Sequence, residues 1–363
     1  MTPTSRNTLS KAFFVVTCIA VVPSNTEAFR APENPTGLEG LKTPLIVKKP
    51  PVVVPEPQEP KNVITLEALS QVGKMVAADD VARGASFRKR LEIGLFNAPS
   101  NYVDEYWYNP TIHTFGNIGV FGAMHAALAP ISTKIIDVAA YDGEDIRSTV
   151  ASKLSRIVEP RTSKCGRSAR VLDMCCGVGI STRALQDAFP KSEFVVGLDT
   201  SPEMINMAGF LTTHLRWVKP IVSFFIKDKK EKNQTPNFLQ KKLGFSSRKA
   251  KFITGNAEET NFPSKTFDLV TIMYAFHEAP EDGREKILRE AHRILQPGGT
   301  LAVIDISTEY TPSKTMLAGE PYVLEYQKNM HRQMRSLRGF TKVQYQNLVQ
   351  DHVGMWIMKR TTN

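Results

Sequence analysis

Cysteine is scarce in this chain, and its distribution excludes two kinds of site. Among 363 residues there are four cysteines, namely Cys18 in an N-terminal apolar run, Cys165, and the adjacent pair Cys175 and Cys176. The three that follow the apolar run are an odd number with two adjacent, which predicts no disulfide framework. Adjacent cysteines also lack the C-x-x-C reach of a zinc site, and no fourth ligand is spaced to complete one. The sequence therefore predicts no metal site.

Long apolar runs are also few, which argues against a membrane-spanning protein. The run from Ala12 to Val22 is too short to cross a bilayer but suits the apolar region of a signal peptide. Arg6 and Lys11 supply the positive charge that precedes such a region, and Ala28 is a small residue at which signal peptidase could cut. We predict a signal peptide over residues 1–28. The alternative is an apolar helix of the folded domain.

Residues 28–32, A-F-R-A-P, resemble the signal cleavage motif of plastid presequences in diatoms and related algae with secondary plastids. Glu27 departs from that motif. The resemblance implies a plastid protein, and the alternative destination is the secretory pathway or endoplasmic reticulum. Eight prolines then fall within residues 31–60 and favour an extended, polyproline-like chain. Residues 29–61 are therefore predicted to be a transit segment or linker.

The rest of the chain divides into two regions of different pattern. Residues 62–165 have helical periodicity with loop signals at Asn97–Ser100, Asn109-Pro110 and Ala129-Pro130, and predict a helical cap. In residues 166–363, short runs rich in valine and isoleucine alternate with amphipathic segments. Such runs predict parallel strands with helices on both faces of the sheet. The expected fold class is α/β, a doubly wound sheet that binds ligands at the carboxyl ends of its strands.

A glycine-containing turn follows the first predicted strand, which ends at Asp173. Gly177 and Gly179 permit backbone angles and a close ligand approach that a Cβ would block, and a helix begins near Ile180. A dinucleotide fingerprint would need a third glycine where Thr182 stands, and the lysine of a phosphate loop is absent. The Asp173 carboxylate would repel a pyrophosphate but attract a cationic ligand.

The second predicted strand ends in another carboxylate, Asp199, placed to accept both hydroxyls of a ribose. Ser201 and Pro202 then open a helix as N-cap and first helical residue. Together the two strand ends favour a ligand that carries a ribose and a cationic or amino group.

Four motifs in register resemble those of the class I S-adenosylmethionine-dependent methyltransferases, in particular the ubiquinone and menaquinone C-methyltransferases. They are V-L-D-M-C-C-G-V-G-I-S-T from Val171, V-V-G-L-D-T-S-P-E-M from Val195, I-T-G-N-A-E-E-T from Ile253, and R-E-A-H-R-I-L-Q-P-G-G-T from Arg289. The resemblance covers residues 168–307. It implies a mostly parallel, seven-stranded Rossmann-like sheet and S-adenosylmethionine as the cofactor. The last two predicted strands, 341–349 and 354–359, resemble the final antiparallel hairpin of these enzymes.

The resemblance also implies roles for particular residues. The turn that ends at Gly179 would lie under the methionine part of the cofactor, with Asp173 near its amino group. Asn256 stands where the family usually has aspartate at the adenine edge, and it still offers an acceptor oxygen. Cys175 stands where glycine is common. The predicted cofactor-binding residues are Asp173, Cys175, Cys176, Gly177, Gly179, Asp199, Thr200, Asn256, Ala257 and Tyr274.

His277 and Glu278, after the fourth strand, are the predicted catalytic residues. His277 could act as a general base because the ordinary pKa of histidine lies near working pH, and Glu278 could orient it. The alternative is a histidine whose ring is satisfied by backbone groups. Arg147 could meet an acidic acceptor.

Tyr102, Tyr106 and Trp107 are the predicted substrate-binding residues. Tyr102 and Tyr106 are four residues apart, so they share one face if the segment is helical and could form an aromatic lid over the acceptor. The alternative is an amphipathic helix packed on the sheet.

Basic charge is concentrated in an insertion at residues 211–251. Eleven basic residues against two acidic ones give this segment a charge of +9, close to the +10 of the whole chain. Its apolar and aromatic stretch 217–227 favours an anionic membrane surface over nucleic acid, because sustained basic and aromatic interleaving is missing. The alternative is a solvated loop.

The sequence thus predicts methyl transfer from S-adenosylmethionine to a small, lipophilic acceptor, such as a quinone or phenol, by in-line displacement in a closed pocket. Two alternatives stay open. One is a non-catalytic, methyltransferase-like assembly factor. The other is an RNA methyltransferase that uses the basic insertion, although the Asn/Asp-Pro-Pro-aromatic motif of amino-directed base methylation is absent after strand four. The sequence does not indicate an oligomeric state.

Overall fold

The computed structural model of the protein describes residues 106–108, 117–225 and 250–362. The predicted signal peptide, the proline-rich segment, Tyr102 and residues 226–249 of the basic insertion lie outside the described residues. Those predictions therefore stay predictions.

Seven strands form one sheet in the order β3-β2-β1-β4-β5-β7-β6. Strands β1 to β5 run parallel to one another, and β7 lies antiparallel between β5 and β6. The predicted doubly wound, mostly parallel seven-stranded sheet with a C-terminal antiparallel hairpin is confirmed. The strands are β1 Arg170–Met174, β2 Phe194–Asp199, β3 Lys251–Thr254, β4 Phe267–Met273, β5 Leu295–Ile306, β6 Gln344–Val349 and β7 Val353–Lys359.

Helices connect the strands and precede the sheet. They are α1 Gly119–Ala140, α2 Ile146–Lys164, α3 Ile180–Ala188, α4 Pro202–Phe225, α5 Glu281–Ile294, α6 Lys314–Gly319 and α7 Val323–Arg335. Two short 3₁₀ helices lie at Tyr106–Tyr108 and Phe276–Glu278. Asp145 is the N-cap of helix α2. Its carboxylate accepts the Ser148 N–H at 3.0 Å and so satisfies one of the helix's unpaired donors.

Each central strand buries both faces because its side chains alternate between two apolar clusters. In β1, Val171 joins the cluster formed with α2 and α3, and Leu172 joins the cluster formed with α5 and α7. The buried Trp356 of β7 extends the second cluster across the antiparallel edge. Continuous apolar strands therefore place the sheet in the middle of three layers, with the carboxyl ends of β1, β2 and β4 at one edge.

Helix α1 continues through Ala129-Pro130, where the sequence predicted a loop. The Ser132 hydroxyl donates to the carbonyls of Leu128 and Ala129 on the turn that contains this proline. Apolar residues on both sides of Pro130 let the helix persist at the cost of one backbone hydrogen bond. By length and composition alone, α1 is long and apolar enough to cross a membrane, a test that the core helix of a soluble protein also passes. No membrane-spanning helix was predicted here.

We expect Asp268→Asn to destabilise the protein, because its buried carboxylate ties α2 and the start of β1 to β4. Asp268 accepts hydrogen bonds from Arg161 at 3.0 Å and from both terminal nitrogens of Arg167 at 2.5 Å. Loss of the charge should lower the free energy of unfolding by about 3 kcal/mol, measured by urea denaturation. Asp282→Asn removes a carboxylate that is 75% exposed, and it should change the free energy of unfolding by less than about 0.5 kcal/mol. Equal effects of the two substitutions would contradict the assignment.

Candidate functional site

The turn between β1 and α3 has an unusual backbone. Cys175, Gly177 and Gly179 adopt positive φ angles of 56°, 52° and 73°. A Cβ on Gly179 would lie 2.4 Å from the Phe252 ring, so glycine is required there by packing as well as by conformation. A Cβ on Gly177 would meet nothing within 4 Å, since this position faces the open cleft described below. The turn therefore leaves its backbone accessible to a ligand.

Cys175 departs from glycine at a position where glycine is physically favoured. A non-glycine residue in the left-handed region is strained, which accounts for the family's preference. Burial, followed by the charge of Asp199, raises the pKa of the Cys175 and Cys176 thiols well above the ordinary value. Both thiols therefore stay protonated near neutral pH, and neither is an activated nucleophile.

Asp199, at the end of β2, joins this turn to the next loop. One of its carboxylate oxygens accepts the Gly177 N–H at 2.8 Å, and the other accepts the Ser201 N–H at 2.9 Å. Each carboxylate oxygen has a second acceptor position, so these bonds leave capacity for hydroxyl donors from a ligand. Asp199 lines the cleft, as the predicted ribose contact requires.

Asp173, in β1, is buried next to the turn. Its carboxylate is fully buried and accepts hydrogen bonds from the hydroxyls of Ser181 at 2.6 Å, Thr182 at 2.7 Å and Thr271 at 2.7 Å. Burial raises its pKa, although these three hydroxyls counteract the rise. Asp173 is not part of the cleft lining, and its hydrogen bonds support the turn; its contact with the amino group of a cofactor stays a prediction.

A cleft that is partly open to solvent lies at this carboxyl edge of the sheet. The structure brings together most of the predicted site residues along its walls. Those that line it are Tyr106, Trp107, Cys175, Cys176, Gly177, Asp199, Thr200, Asn256, Ala257, Tyr274 and Glu278. Of the predicted residues that the structure describes, three do not line it: Asp173, Gly179 and His277.

One wall of the cleft was not predicted. Helix α1 contributes His125, Ala129 and Thr133, and the chain before it contributes Asn117. His125, Ala129 and Thr133 are spaced four residues apart, which is the one signal that could have identified this helix face. The loop predicted at Pro130 interrupted that pattern.

Asn256, another residue that lines the cleft, stabilises its own turn. Its side-chain oxygen accepts the Glu258 N–H at 2.9 Å. This oxygen keeps one further acceptor position, while the amide nitrogen adds a donor that the usual aspartate lacks. The adenine contact implied by the resemblance thus stays a prediction, with a changed donor and acceptor pattern.

Tyr106 and Trp107 form an aromatic wall, although in a 3₁₀ helix and not on the face of a longer helix. Their rings meet edge to face at 5.0 Å, and Tyr106 meets Tyr322 in the same way at 6.2 Å. Tyr106 also packs on Gly283, where a Cβ would come within 2.9 Å of its hydroxyl. The lining position of these two rings agrees with a substrate role, and the motion of a lid stays a prediction.

The geometry of His277 does not favour the predicted role of general base. Its Nδ1–H donates to Asp305 at 2.5 Å, and its Nε2 lies 3.4 Å from Glu320 and 3.7 Å from Glu278. Burial alone would lower the pKa of His277, but the charges of Asp305 and Glu320 and the hydrogen bond to Asp305 raise it to about 10. His277 is thus held by Asp305 and Glu320 outside the cleft lining, and its role as a general base stays a prediction.

Arg147 and Tyr274 form the cationic part of the cleft. The Arg147 guanidinium carbon lies 4.3 Å from the centre of the Tyr274 ring, and both side chains line the cleft. Tyr274 has a positive φ of 58°, and burial, together with a hydrogen bond to the Tyr141 side chain, raises its pKa well above the ordinary value. Arg147 lies 3.8 Å from Asp137, and burial raises the pKa of Asp137 to about 6 although Arg147 lowers it. A ligand oxygen at this end of the cleft would find a cation.

Residues 172–303 match the family model described as a methyltransferase domain. The demethylmenaquinone methyltransferase of Bacillus licheniformis is 30% identical over 141 residues, which are 39% of this chain and 46% of that protein. The demethylmenaquinone methyltransferase of Lysinibacillus sphaericus is 30% identical over 149 residues, 41% of this chain and 49% of that protein. The chain thus spans about half the length of these relatives.

A solved structure, magnesium protoporphyrin IX methyltransferase from Synechocystis PCC 6803 with bound SAM, covers 66% of this chain and 91% of its own, with 10% identity and a TM-score of 0.39. The matched family segment runs from β1 into β5 and contains the glycine turn, Asp199 and Asn256. Residues 172–303 are thus similar to a methyltransferase domain, and the sheet topology agrees with the class I, Rossmann-like fold.

We expect His277 to make the stability of the protein depend on pH. The folded-state pKa of about 10 exceeds the ordinary value of 6.5, so its contribution is complete below pH 6.5 and is lost as the pH rises to 10. Between pH 6.5 and pH 10, the free energy of unfolding should fall further in the unsubstituted protein than in His277→Gln. The difference should exceed about 1.4 kcal/mol, the equivalent of one pKa unit. Urea denaturation of both proteins at several pH values measures it. An unchanged slope would contradict the assignment.

Proposed function

We propose that this chain transfers the methyl group of S-adenosylmethionine to a small, lipophilic phenol, such as the reduced form of a quinone. The observation that carries the proposal is the position of a cation, Arg147, in the same cleft as the turn and carboxylate expected to hold the cofactor. The two relatives, named as demethylmenaquinone methyltransferases, support an acceptor of this class.

The residues along the strand ends fit S-adenosylmethionine. Asp199 offers carboxylate oxygens to the ribose hydroxyls, and Gly177 leaves room where a side chain would project into the cleft. Asn256 and Ala257 lie where the adenine is expected. When bound, S-adenosylmethionine supplies a sulfonium-activated methyl group, so the protein mainly needs to position the acceptor and exclude water.

Arg147 acts on the acceptor. Its guanidinium holds the acceptor oxygen as a phenolate, because a nearby positive charge favours the ionised form of a hydroxyl. An ionised phenol is the more nucleophilic form, and one proton leaves the acceptor for each methyl group gained. Because His277 is paired with Asp305 outside the cleft lining, we give the role of a dedicated base to stabilisation of the phenolate instead.

The aromatic wall completes the acceptor end. Tyr106 and Trp107 present ring surfaces to the cleft beside Cys175 and Ala279. Flat apolar surfaces of this kind suit an aromatic acceptor and reduce the access of water. The acceptor ring would therefore lie between these side chains and the Arg147 guanidinium.

We expect Arg147→Met to lower kcat/KM for reduced, short-chain demethylmenaquinone about 10- to 150-fold at pH 7, since a charge-assisted hydrogen bond contributes about 1.5 to 3 kcal/mol. The loss should shrink as the pH rises, because the acceptor then ionises without the cation. Arg156→Met, on the exposed side of the same helix, is the matched control and should leave turnover unchanged.

Calorimetric titration with S-adenosylmethionine separates the two halves of the site. Arg147→Met should bind the cofactor as the unsubstituted protein does. Equal turnover by Arg147→Met and the unsubstituted protein would overturn the acceptor role. Cofactor binding without methylation of any phenol or quinol would favour the assembly-factor alternative.

A further inference from the structure

Helix α1 exposes an apolar stripe along almost its whole length. We call the α1 stripe the five large apolar side chains that are at least 36% exposed on it: Val120, Phe121, Met124, Ile131 and Val138. Their spacing of three, four and seven residues places them on one helix face, with exposed Ala127 between them. Phe121 is 60% exposed, an unusual value for phenylalanine. In the described part of the chain, this face of α1 has no covering element.

The opposite side of α1 is attached to the domain. Ala126 is buried against Val178, Met204 and Leu211, and the Gly119 N–H donates to the Glu203 carboxylate at 2.9 Å. Next to this contact, His125, Ala129 and Thr133 line the cleft. Helix α1 is therefore the wall that separates the cleft from the exterior, and its outer surface is apolar.

Helix α1 itself carries few charges. Asp137 is the one acidic residue of α1, and it is buried on the inner side. Lys134 is the one basic residue of the helix. Phe210 of α4, the helix on which α1 packs, is a further exposed aromatic side chain at 51%. From Arg216 onward, α4 and the chain that follows it carry the +9 charge of the basic insertion.

We propose that the α1 stripe forms a docking surface for an anionic lipid bilayer, on which α1 lies in the plane of the interface. An apolar helix face beside a strongly basic segment combines the two contributions that hold peripheral proteins on anionic membranes. The inner side of α1 carries His125, Thr133 and Asp137 and lines the cleft, so the helix lies on the membrane and does not cross it.

Charge distinguishes a bilayer from a second copy of the chain. A symmetric contact through the α1 stripe would bring together two α4 helices, each of which continues into a segment of charge +9. Like charges oppose such a dimer, whereas anionic headgroups attract both segments. An anionic bilayer is therefore the occupant that satisfies the apolar face and the charge together.

Docking in this orientation would place the cleft wall directly on the membrane surface. A lipophilic acceptor could then reach Tyr274 and Arg147 by passing beside α1 without crossing water. This consequence rests on the proposed function. The docking surface itself does not, because its test requires no methyl transfer.

The experiment uses the full chain with vesicles of phosphatidylcholine alone or of equal parts phosphatidylcholine and phosphatidylglycerol. We expect the protein to float with the anionic vesicles. The double substitution Phe121→Glu with Met124→Glu should reduce the floating fraction at least tenfold, and Leu324→Glu, at a residue 59% exposed on α7, should not. Circular dichroism and titration with S-adenosylmethionine establish that each variant is folded.

A second measurement locates the contact, since other segments could also bind lipid. Phe121→Trp should gain tryptophan fluorescence that brominated lipid quenches, relative to the unsubstituted protein, and Leu324→Trp should not. Flotation without quenching at position 121, or equal flotation of the double variant, would overturn the proposal. Dimers in sedimentation that the double variant abolishes, without flotation, would assign the stripe to a second copy. Cofactor binding is unaffected in each of these cases, so failure here is distinct from failure of the proposed function.

Discussion

The carboxylate of Asp199 holds together the two loops on which the cleft depends. Its hydrogen bonds to the Gly177 and Ser201 N–H groups fix the turn after β1 relative to the loop after β2. That turn contains three residues with positive φ, one of them a cysteine, and such a backbone persists only when its surroundings determine it. The group that orders the turn is also the group expected to bind the ribose, so order and recognition are coupled at one side chain.

Two other strand-end carboxylates support the site without facing it. Asp173 collects three hydroxyl donors from α3 and β4. Asp305, near the end of β5, accepts the N–H groups of Phe276 and Ile306 at 2.7 Å and pairs with the His277 ring. Both are fully buried, and each fixes the segment that follows a central strand. Asp173 and Asp305 are thus buried carboxylates whose hydrogen bonds are satisfied, and they fix the geometry of the segments beside the cleft.

The sheet and the cofactor end could be predicted because both leave strong local patterns. Apolar runs between amphipathic segments predict parallel strands, and the glycine turn followed by Asp199 predicts the ligand edge. Side-chain direction leaves no such pattern. Asp173 and Asp199 look equivalent in the sequence, yet one points beneath the turn and the other lines the cleft. His277 has the residue type of a base, but its partners Asp305 and Glu320 come from distant segments, and they decide its protonation. Pro130 suggested a loop because the tertiary contacts that preserve α1 cannot be inferred locally.

The most direct test of this arrangement is a calorimetric titration of the full chain with S-adenosylmethionine, beside Asp199→Ala and the exposed-site control Asp187→Ala. If Asp199 receives the ribose, its removal should cost about 1.5 to 3 kcal/mol, a 10- to 150-fold weaker Kd. The control should bind as the unsubstituted protein does. Undiminished binding by folded Asp199→Ala, or no binding by the folded, unsubstituted protein, would contradict the central role of this carboxylate.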